Sequence, residues 1–252
     1  VVLAPCSPFS VTADLLRQSA ALARQYGVRL HTHLCETKDE EHFTLEKVGL
    51  RPLGYMETLG WLGSDVWYAH GIHFNDDELK LLADTGTGVA HCPASNMKLA
   101  SGVCRVPDML ELGVPLGLAL DGSASNDGNS LLEELRTAYL LHRLTSSSRA
   151  PTGYDLLKIA TVGGARLLGR TDIGSLEVGK CADLFLIDSR RLELVGAALD
   201  PQNVLATVGV RGAVDYTVVN GKITVRQGHL ETFDEAALAS QANQVCAAYL
   251  NH

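Results

Sequence analysis

The chain has 252 residues, of which 46% are hydrophobic and 20% are charged, and its formal net charge is −8. This composition is typical of a folded globular protein and excludes an intrinsically disordered chain. The negative charge argues against a nucleic-acid partner, and no apolar run approaches the roughly 18 residues that a membrane span needs. The six cysteines show no C-x-x-C spacing, which predicts reduced thiols in a cytoplasmic protein.

Apolar runs alternate with amphipathic helical patterns over the first 170 residues, as in βα units around a parallel sheet. Strands are predicted over residues 1–4, 28–33, 65–70, 87–91 and 114–120, and helices over residues 12–26, 52–62, 75–86, 129–144 and 154–168. Thr12 and Asn75 are predicted to cap the first and third helices, and Gly27 and Gly86 to end them. Leu15, Leu22 and Tyr26 are predicted to lie on one side of the first helix.

Beyond Gly169 the pattern changes to short β segments, predicted over residues 184–187, 214–219 and 222–226. Asn220 and Gly221 separate the last two segments, and Asn-Gly favours the type I′ turn of a β-hairpin. A final helix is predicted over residues 234–249. This change predicts two domains, with residues 1–170 forming a βα region and residues 171–252 forming a smaller β-rich domain.

The number of predicted strands limits the choice of fold. At most five strands of barrel type precede residue 170, whereas a closed (β/α)8 barrel has eight strands in about 250 residues. The strand pattern alone leaves two interpretations open. The chain is either an open α/β sheet or the C-terminal part of a longer barrel chain.

Titratable side chains follow the C-terminal ends of successive predicted strands: His33 with Glu36, then His70, then Asp121. In βα barrels this is the catalytic face, where residues from several strands converge. Imidazole nitrogen and carboxylate oxygen are common ligands of divalent metals. A single histidine at a strand end is more often a packing residue than a ligand. Four such groups in succession favour a metal-dependent active site over packing.

Five motifs carry a resemblance to a known family: Ala-Pro-Cys-Ser-Pro-Phe-Ser at 4–10, His-Thr-His-Leu-Cys-Glu-Thr at 31–37, Tyr-Ala-His-Gly at 68–71, His-Cys-Pro-Ala-Ser-Asn-Met-Lys-Leu at 91–99 and Leu-Asp-Gly-Ser-Ala-Ser-Asn-Asp at 120–127. They resemble those of the amidohydrolase superfamily, in the branch of metal-dependent aminohydrolases that act on purines, pterins and triazines. The resemblance covers essentially the whole chain, and residues 174–184 look like the return of such chains into a β-sandwich domain. The first and last motifs are most similar to those of 8-oxoguanine deaminases, followed by hydroxyatrazine-type aminohydrolases.

The resemblance also implies which part of the barrel this chain forms. The first strand of these enzymes carries a His-x-His pair of metal ligands, for which His31-Thr-His33 could be mistaken. However, Glu36 follows three residues later, as on the family's fifth strand, and only 88 residues separate His33 from Asp121. Seven βα units of roughly 25 residues do not fit into that interval. We therefore expect a fragment, comprising strands four to eight of a (β/α)8 TIM barrel and part of a small β-sandwich domain, with the His-x-His pair about 150–200 residues upstream.

The resemblance implies a role for each residue at the strand ends. His33 and Asp121 would bind one Zn²⁺ per subunit, with Fe²⁺ as the alternative metal, and Asp121 would also carry a proton. Glu36 would be the acid/base that takes a proton from the attacking water and passes it to a ring nitrogen, and His70 would orient that water. The implied reaction is hydrolytic removal of an exocyclic amine from a purine-like ring, with 8-oxoguanine converted to urate and ammonia.

Other substrates and one other function class remain as alternatives. A triazine aminohydrolase or chlorohydrolase and a methylthioadenosine-type deaminase are the substrate alternatives, although Cys6 stands where the latter enzymes carry a histidine. A catalytically inactive scaffold is the alternative of another class, disfavoured because every group expected on the visible strands is present. The resemblance implies a cytoplasmic homo-oligomer that acts on a small molecule, with neither nucleic acid nor a membrane as partner.

Three further residues are predicted to contact the substrate, namely Cys6, Cys35 and His73. Packing remains an open alternative for each of them. His31 is predicted to pack inside the barrel, because it shares the face of His33 but lies deeper along the strand. His91 is predicted to hold the loop that contains Asn96.

No motif supports a functional role for the remaining histidines, which are expected at the surface or on a helix face: His42, His142, His229 and His252. Ser123 and Asn126 are predicted to order the loop beside Asp121, since hydroxyl and amide groups suit the hydrogen bonds of turns. The acidic run Asp39-Glu40-Glu41 is predicted to be a solvated helix start, where negative charge is favourable.

Overall fold

A computed structural model describes residues 1–250, so His252 lies outside the described residues. Within them, five strands form a parallel sheet whose spatial order follows the chain. The strands are Val2–Leu3 (β1), Arg29–Leu34 (β2), Val66–His70 (β3), Gly88–His91 (β4) and Leu116–Leu118 (β5). The predicted α/β organisation around a parallel sheet is therefore confirmed, and each of the five predicted strands overlaps an observed one.

Helices connect these strands and continue beyond them. Their bounds are Ala13–Tyr26 (α1), Lys38–Val48 (α2), Pro52–Thr58 (α3), Asp76–Thr85 (α4), Pro93–Lys98 (α5), Val106–Leu112 (α6), Ser123–Asn126 (α7), Leu131–Ser146 (α8), Gly153–Lys158 (α9), Gly164–Leu168 (α10), Val204–Thr207 (α11) and Glu235–Leu250 (α12). Thr12 and Asn75 cap α1 and α4 through side-chain hydrogen bonds, and left-handed Gly27 and Gly86 end these helices, as predicted. Among residues 1–250 we find no helix of the length and apolar character that crossing a membrane requires.

A second sheet, antiparallel and four-stranded, lies in the C-terminal part of the chain. Its strands are Leu184–Leu186 (β6), Tyr216–Val219 (β7), Lys222–Arg226 (β8) and His229–Leu230 (β9). Asn220 and Gly221 join β7 to β8, and their φ angles of 48° and 77° are the positive values that a type I′ turn needs at both positions. The predicted Asn-Gly hairpin is therefore confirmed.

The hydrophobic core packs α1 and neighbouring helices against the parallel sheet. The residues that α1 buries are Leu16, Ala20 and Ala23. Leu15, Leu22 and Tyr26 share one side of α1, as predicted, and that side is exposed to solvent rather than packed in the core. The inner stripe follows the i, i+4, i+7 spacing of a helix, but alanines make up most of it. Their small size lets α1 approach the sheet and weakens the apolar signal in the sequence.

Residues 154–168, predicted as one helix, form α9, a π-helical turn over Ile159–Gly163 and then α10. The π turn lies close to β5, with Gly163 facing the backbone of Leu116. The missing side chain of Gly163 makes this close approach possible. The extent of the helical segment was therefore predicted correctly, but the π turn within it was not predicted.

Replacing Gly163 with alanine is expected to destabilise the fold, because its Cβ would lie 2.1 Å from the carbonyl oxygen of Leu116. The carbonyl oxygen belongs to the backbone of β5, and the Cβ is attached directly to the backbone of the π turn, so neither can give way alone. The π turn would have to move away from β5, which lowers the free energy of unfolding by about 1–3 kcal/mol. Gly164→Ala is the matched control, since no atom lies within 4 Å of its Cβ and alanine favours helix. Urea unfolding of both variants checks this expectation, and equal stabilities would contradict it.

Candidate active site

Three of the predicted site residues converge at the C-terminal ends of the parallel strands. His33 lies in β2, His70 ends β3, and Asp121 follows β5. One nitrogen or oxygen donor atom from each of these side chains lies within 4.8 Å of the other two. Parallel strands bring their carboxyl ends to one edge of a sheet, which explains how residues distant in sequence meet here.

The backbone is strained at these strand ends. Cys35, His70 and Asp121 have φ angles of 54°, 71° and 67°, which lie in the left-handed region that favours glycine. A residue with a side chain costs about 1–3 kcal/mol in such a conformation, and the conformation persists only where surrounding contacts fix it. Such strain is common at active sites, where it directs side chains toward a shared point.

The loop before α1 orients His33. Nδ1 of His33 donates a hydrogen bond to the carbonyl oxygen of Cys6 at 2.5 Å. The hydroxyl of neighbouring Thr32 bridges the carbonyl oxygens of Pro5 and Cys6, at 2.7 and 2.9 Å, and so fixes this loop against β2. Because Nδ1 of His33 carries the hydrogen, the lone pair of Nε2 is free for a metal ion, as is usual for histidine ligands.

His70 is 1% exposed and lies between Asn96 and Glu36. Its Nδ1 donates a hydrogen bond to Oδ1 of Asn96 at 2.8 Å, and its Nε2 lies 3.6 Å from Oε2 of Glu36. The rings of His70 and His33 stack with 5.4 Å between their centroids. The other carboxylate oxygen of Glu36 lies 3.5 Å from the hydroxyl of Ser101. Glu36 therefore lies beside His70, one of the three donor side chains.

Asp121 is held in its ionised form by its neighbours. The hydroxyl of Ser95 donates a hydrogen bond to Oδ2 of Asp121 at 2.5 Å. Burial acts to raise the pKa of this carboxyl. The hydrogen bonds from Ser95 and from the N–H of Gly122, together with the nearby imidazoles of His70 and His33, nevertheless hold the pKa below its ordinary value. The carboxylate is therefore available as a ligand or proton acceptor at neutral pH.

A buried carboxylate supports the loop that carries Asp121. Glu134 of α8 accepts hydrogen bonds from Nδ2 of Asn126 at 2.7 Å and from the N–H of Ala94 at 3.1 Å. Nδ2 of Asn126 also donates to the carbonyl oxygen of the residue before Asp121, at 2.8 Å. The predicted role of Asn126 in ordering this loop is confirmed, and the hydroxyl of Ser123 makes a 3.3 Å contact within the same loop.

Four residues that contact or support the site were not predicted from the sequence: Ser95, Asn96, Ser101 and Glu134. Ser95 and Asn96 lie in the motif at 91–99, and their signal is a pair of polar residues that follows a strand end on the face where site residues converge. Ser101 and Glu134 have no comparable local signal, because both reach the site through tertiary contacts.

The three predicted substrate contacts lie in different surroundings. Cys6 is exposed, and its backbone carbonyl rather than its thiol contacts His33. Cys35 is 1% exposed and packs in the hydrophobic core, where burial raises the pKa of its thiol well above the ordinary value, so we no longer assign it to the substrate. His73 donates from Nε2 to the carbonyl oxygen of Ser101 at 3.1 Å. Cys6 and His73 remain predictions as substrate contacts.

His142 lies on a helix, which is one of its two predicted positions, but it is fully buried there, on α8. The prediction for His91 was wrong, because its side chain contacts His142 rather than the loop of Asn96. Their Nε2 atoms lie 3.2 Å apart, and within residues 1–250 the Nδ1 atom of each lacks a hydrogen-bond partner. His31 stacks on Trp67 with 5.0 Å between ring centroids, in agreement with the predicted packing role. Two other histidines are exposed as predicted, namely His42 and His229.

The pair formed by His91 and His142 is expected to make the protein less stable in mild acid. Burial lowers the pKa of His142 to about 4, and burial together with His142 lowers the pKa of His91 well below the ordinary value. Between about pH 6.5 and about pH 4 the unfolded chain therefore binds more protons than the folded chain, so the free energy of unfolding falls as the pH falls. The loss reaches about 3 kcal/mol for His142 at the lower limit. Urea unfolding across this window checks the slope, which should be shallower in His142→Leu, and an unchanged slope would contradict the assignment.

The donor atoms of the site fit a zinc ion. Imidazole nitrogen and carboxylate oxygen are ligands that zinc binds, and His33 and Asp121 are the predicted ligands. His70 belongs to the same group of donors. Hydrogen bonds at Nδ1 of both histidines leave both Nε2 atoms for the site, and the Asp121 carboxyl is ionised. These features are what a catalytic zinc site requires of its protein ligands.

Several known proteins are similar to this chain. An 8-oxoguanine deaminase from Pseudomonas aeruginosa is 46% identical over 250 residues, which cover 99% of this chain and 55% of the relative. A hydroxydechloroatrazine ethylaminohydrolase from a Pseudomonas species is 45% identical over 248 residues, which cover 97% of this chain and 51% of the relative. The crystal structure of an adenosine deaminase from Xanthomonas campestris with bound zinc has a TM-score of 0.92 and 33% identity, over 99% of this chain and 57% of that chain.

The chain spans about half the length of the curated relatives that it matches. The sequence profile of the amidohydrolase family matches residues 1–224. That interval contains the whole parallel sheet and every residue of the candidate site. By sequence and by fold, this chain belongs to the amidohydrolase family.

Proposed function

We propose that this chain forms part of a zinc-dependent aminohydrolase that removes an exocyclic amine from a purine-like ring, with 8-oxoguanine as substrate. The observation that carries the proposal is the convergence of the donor atoms of His33, His70 and Asp121 beside the carboxylate of Glu36. Hydrolysis of a C–N bond on an aromatic ring needs an activated water and an acid/base, and this arrangement is suited to both. The 46% identity to an 8-oxoguanine deaminase supports the choice of substrate.

Each side chain has a defined task in the proposed reaction, and Asp121 has two. His33 and Asp121 would hold the zinc ion, which as a Lewis acid would lower the pKa of bound water to about 7. Glu36 takes a proton from the attacking water and delivers it to the adjacent ring nitrogen, while the water oxygen forms a C–O bond to the ring carbon that bears the amine. Asp121 takes the remaining proton from the added hydroxyl and passes it to the amine, so that the C–O bond becomes a carbonyl as the C–N bond breaks and ammonia leaves. His70, held by Asn96, orients the attacking water.

We also propose that β1–β5 are strands four to eight of a (β/α)8 barrel, with residues 1–170 in the barrel and residues 171–252 in the second domain. Two more metal ligands then come from a His-x-His pair on the first strand, in residues that precede Val1. The coverage of only 55% of an 8-oxoguanine deaminase relative supports this division. The two edges of the sheet, at β1 and β5, are those that the remaining strands of a barrel would pair.

A triazine aminohydrolase is the second candidate function. The 45% identity to a hydroxydechloroatrazine ethylaminohydrolase is nearly as high as the identity to the deaminase. Both reactions hydrolyse a C–N bond on a planar nitrogen heterocycle, so the same residues serve either one. The difference between them lies in the side chains that contact the ring, for which Cys6 and His73 are the candidates in this chain.

Amine release by the zinc-loaded full-length protein, including the residues that precede Val1, tests both candidates. The substrates are 8-oxoguanine, guanine, an N-ethylamino hydroxytriazine and methylthioadenosine. We expect the highest kcat/KM for 8-oxoguanine, with one ammonia released for each urate formed. A higher kcat/KM for the triazine would replace our choice of substrate. If none of the four substrates releases an amine, the aminohydrolase proposal is contradicted.

A further inference from the structure

Glu40 is a buried carboxylate for which the proposed reaction has no task. The prediction of a solvated helix start holds for Asp39, which is exposed, but it was wrong for Glu40, which is only 2% exposed. The turn between β2 and α2 directs the Glu40 side chain back toward the strand end instead of into solvent. Burial raises the pKa of this carboxyl to about 7, although hydrogen bonds from the backbone of Cys35 and Glu36 act to lower it.

The hydrogen bonds of Glu40 differ from those of an ordinary helix cap. Thr37 is the N-cap of α2, and its hydroxyl accepts a hydrogen bond from the N–H of Glu40 at 3.4 Å. In a capping box the glutamate at this position would bond the N–H of the capping residue itself. Instead, Oε2 of Glu40 accepts a hydrogen bond from the N–H of Glu36 at 3.3 Å. The carboxylate therefore holds the strand end rather than the helix cap.

The turn that Glu40 holds determines where the acid/base lies. Cys35 has the left-handed φ of 54°, which only surrounding contacts can maintain. The carbonyl oxygen of Cys35 accepts two backbone N–H groups from the loop after β3, at 2.9 and 3.0 Å. The turn is thus fixed at two places, by Glu40 at the N–H of Glu36 and by the next loop at the carbonyl of Cys35. From this turn the side chain of Glu36 extends to within 3.6 Å of His70.

We propose that Glu40 is a positioning residue, which holds the Cys35–Glu36 turn so that the carboxylate of Glu36 faces the metal-binding side chains. The inference rests on the proposed acid/base function of Glu36. Within the described residues, Oε1 of Glu40 is buried and has no hydrogen-bond partner, so the carboxylate remains at this position despite a cost in solvation. A helix cap alone does not require that cost, because Thr37 already caps α2 from a less buried position.

Substitutions of Glu40 in the full-length, zinc-loaded protein test the proposal. Glu40→Gln keeps an acceptor oxygen at the same reach, Glu40→Asp keeps the charge but is shorter, and Glu40→Ala removes the acceptor. We expect Glu40→Ala and Glu40→Asp to lower kcat for amine release by about 10–100-fold, as the loss of a supporting hydrogen bond does, with KM and zinc content unchanged. Glu40→Gln should keep kcat within about fivefold of the wild type, because a neutral acceptor still binds the N–H of Glu36, although more weakly.

Asp39→Asn is the matched control, because it removes the same charge from the same helical turn at an exposed position. Its kcat should stay within about twofold of the wild type, as expected for a surface substitution. A wild-type kcat in Glu40→Ala would overturn the proposal. A loss of activity that follows a loss of zinc would also overturn it, since Glu40 would then support the metal site rather than Glu36.

Hydrogen exchange separates failure of this inference from failure of the proposed function. The N–H of Glu36 should exchange slowly in the wild type and at least about tenfold faster in Glu40→Ala, whether or not the protein releases an amine. Unchanged exchange in Glu40→Ala would overturn the inference even in an active enzyme. If exchange is faster in Glu40→Ala but the wild-type protein releases no amine from any of the four substrates, Glu40 holds the turn as described. The acid/base function of Glu36 would then be overturned, and the positioning role of Glu40 with it.

Discussion

Glu36→Gln is expected to lower the release of ammonia from 8-oxoguanine by about 10²–10⁴-fold, the range that a positioned general acid/base contributes. Glutamine keeps the shape of the side chain and its contact with Ser101, but it cannot take a proton from water or give one to a ring nitrogen. Glu36 lies 3.6 Å from Nε2 of His70 and outside the group of donor atoms, so the zinc content of the variant should equal that of the wild type.

Glu46→Gln is the control for this prediction, because Glu46 is an exposed carboxylate on α2, the helix that begins two residues after Glu36. It should retain full activity. Steady-state release of ammonia and metal analysis of the same samples are the two measurements. The acid/base assignment fails if Glu36→Gln keeps more than about a tenth of the wild-type rate, or if its rate falls in proportion to lost zinc.

Asp121→Asn is expected to lower both the zinc content and the rate of ammonia release, the latter by at least about 10³-fold, because Asp121 has two tasks in the proposed site. The amide of asparagine is a weaker ligand than the ionised carboxylate and does not carry a proton. Metal analysis after dialysis, together with the rate at saturating zinc, separates the two contributions. A residual defect at saturating zinc would report the proton transfer alone.

Ser95→Ala provides the graded comparison. It removes only the 2.5 Å hydrogen bond to Oδ2 of Asp121, so it should weaken zinc binding by about 10–100-fold and leave the rate of the zinc-loaded enzyme close to that of the wild type. Asp121→Asn should therefore lower zinc binding and the rate of ammonia release more than Ser95→Ala does. Equal effects would show that Ser95 acts directly in the reaction, and no effect in either variant would contradict the assignment of Asp121 to the metal.

Local signals explain how much of the fold could be predicted from the sequence. Asn75 and Gly86 mark the two ends of α4, and Asn220-Gly221 determines a hairpin, because these residues favour particular backbone conformations. Helices α5 and α6 have only six and seven residues, too few for a helical period to appear, and the prolines that begin them are typical of breaks in structure.

The site could be predicted as far as its strand ends. His33, His70 and Asp121 each lie at the end of a parallel strand, so the topology brings them together. The contacts around them could not be predicted, because Ser95 and Asn96 reach Asp121 and His70 only through the path of α5.

Burial of single polar residues was the other limit. Glu40 lies in an acidic run and His142 belongs to no motif, so burial was predicted for neither, but both are buried. In each case the fold around the residue decides its exposure. Glu40 turns back to the end of β2, and His142 packs against His91 on β4. Neither contact can be predicted from the residues that neighbour Glu40 or His142 in the sequence.

The central claim is that His33, His70, Asp121 and Glu36 belong to a metal-dependent aminohydrolase centre. Removing zinc and then adding it back tests this claim most directly. The full-length protein is treated with a chelator, and release of ammonia from 8-oxoguanine is then measured as zinc is added back. We predict that the zinc-free protein is inactive and that the rate rises in proportion to bound zinc, to a maximum at about one zinc per subunit. A zinc-free protein that retains the full rate would contradict the account.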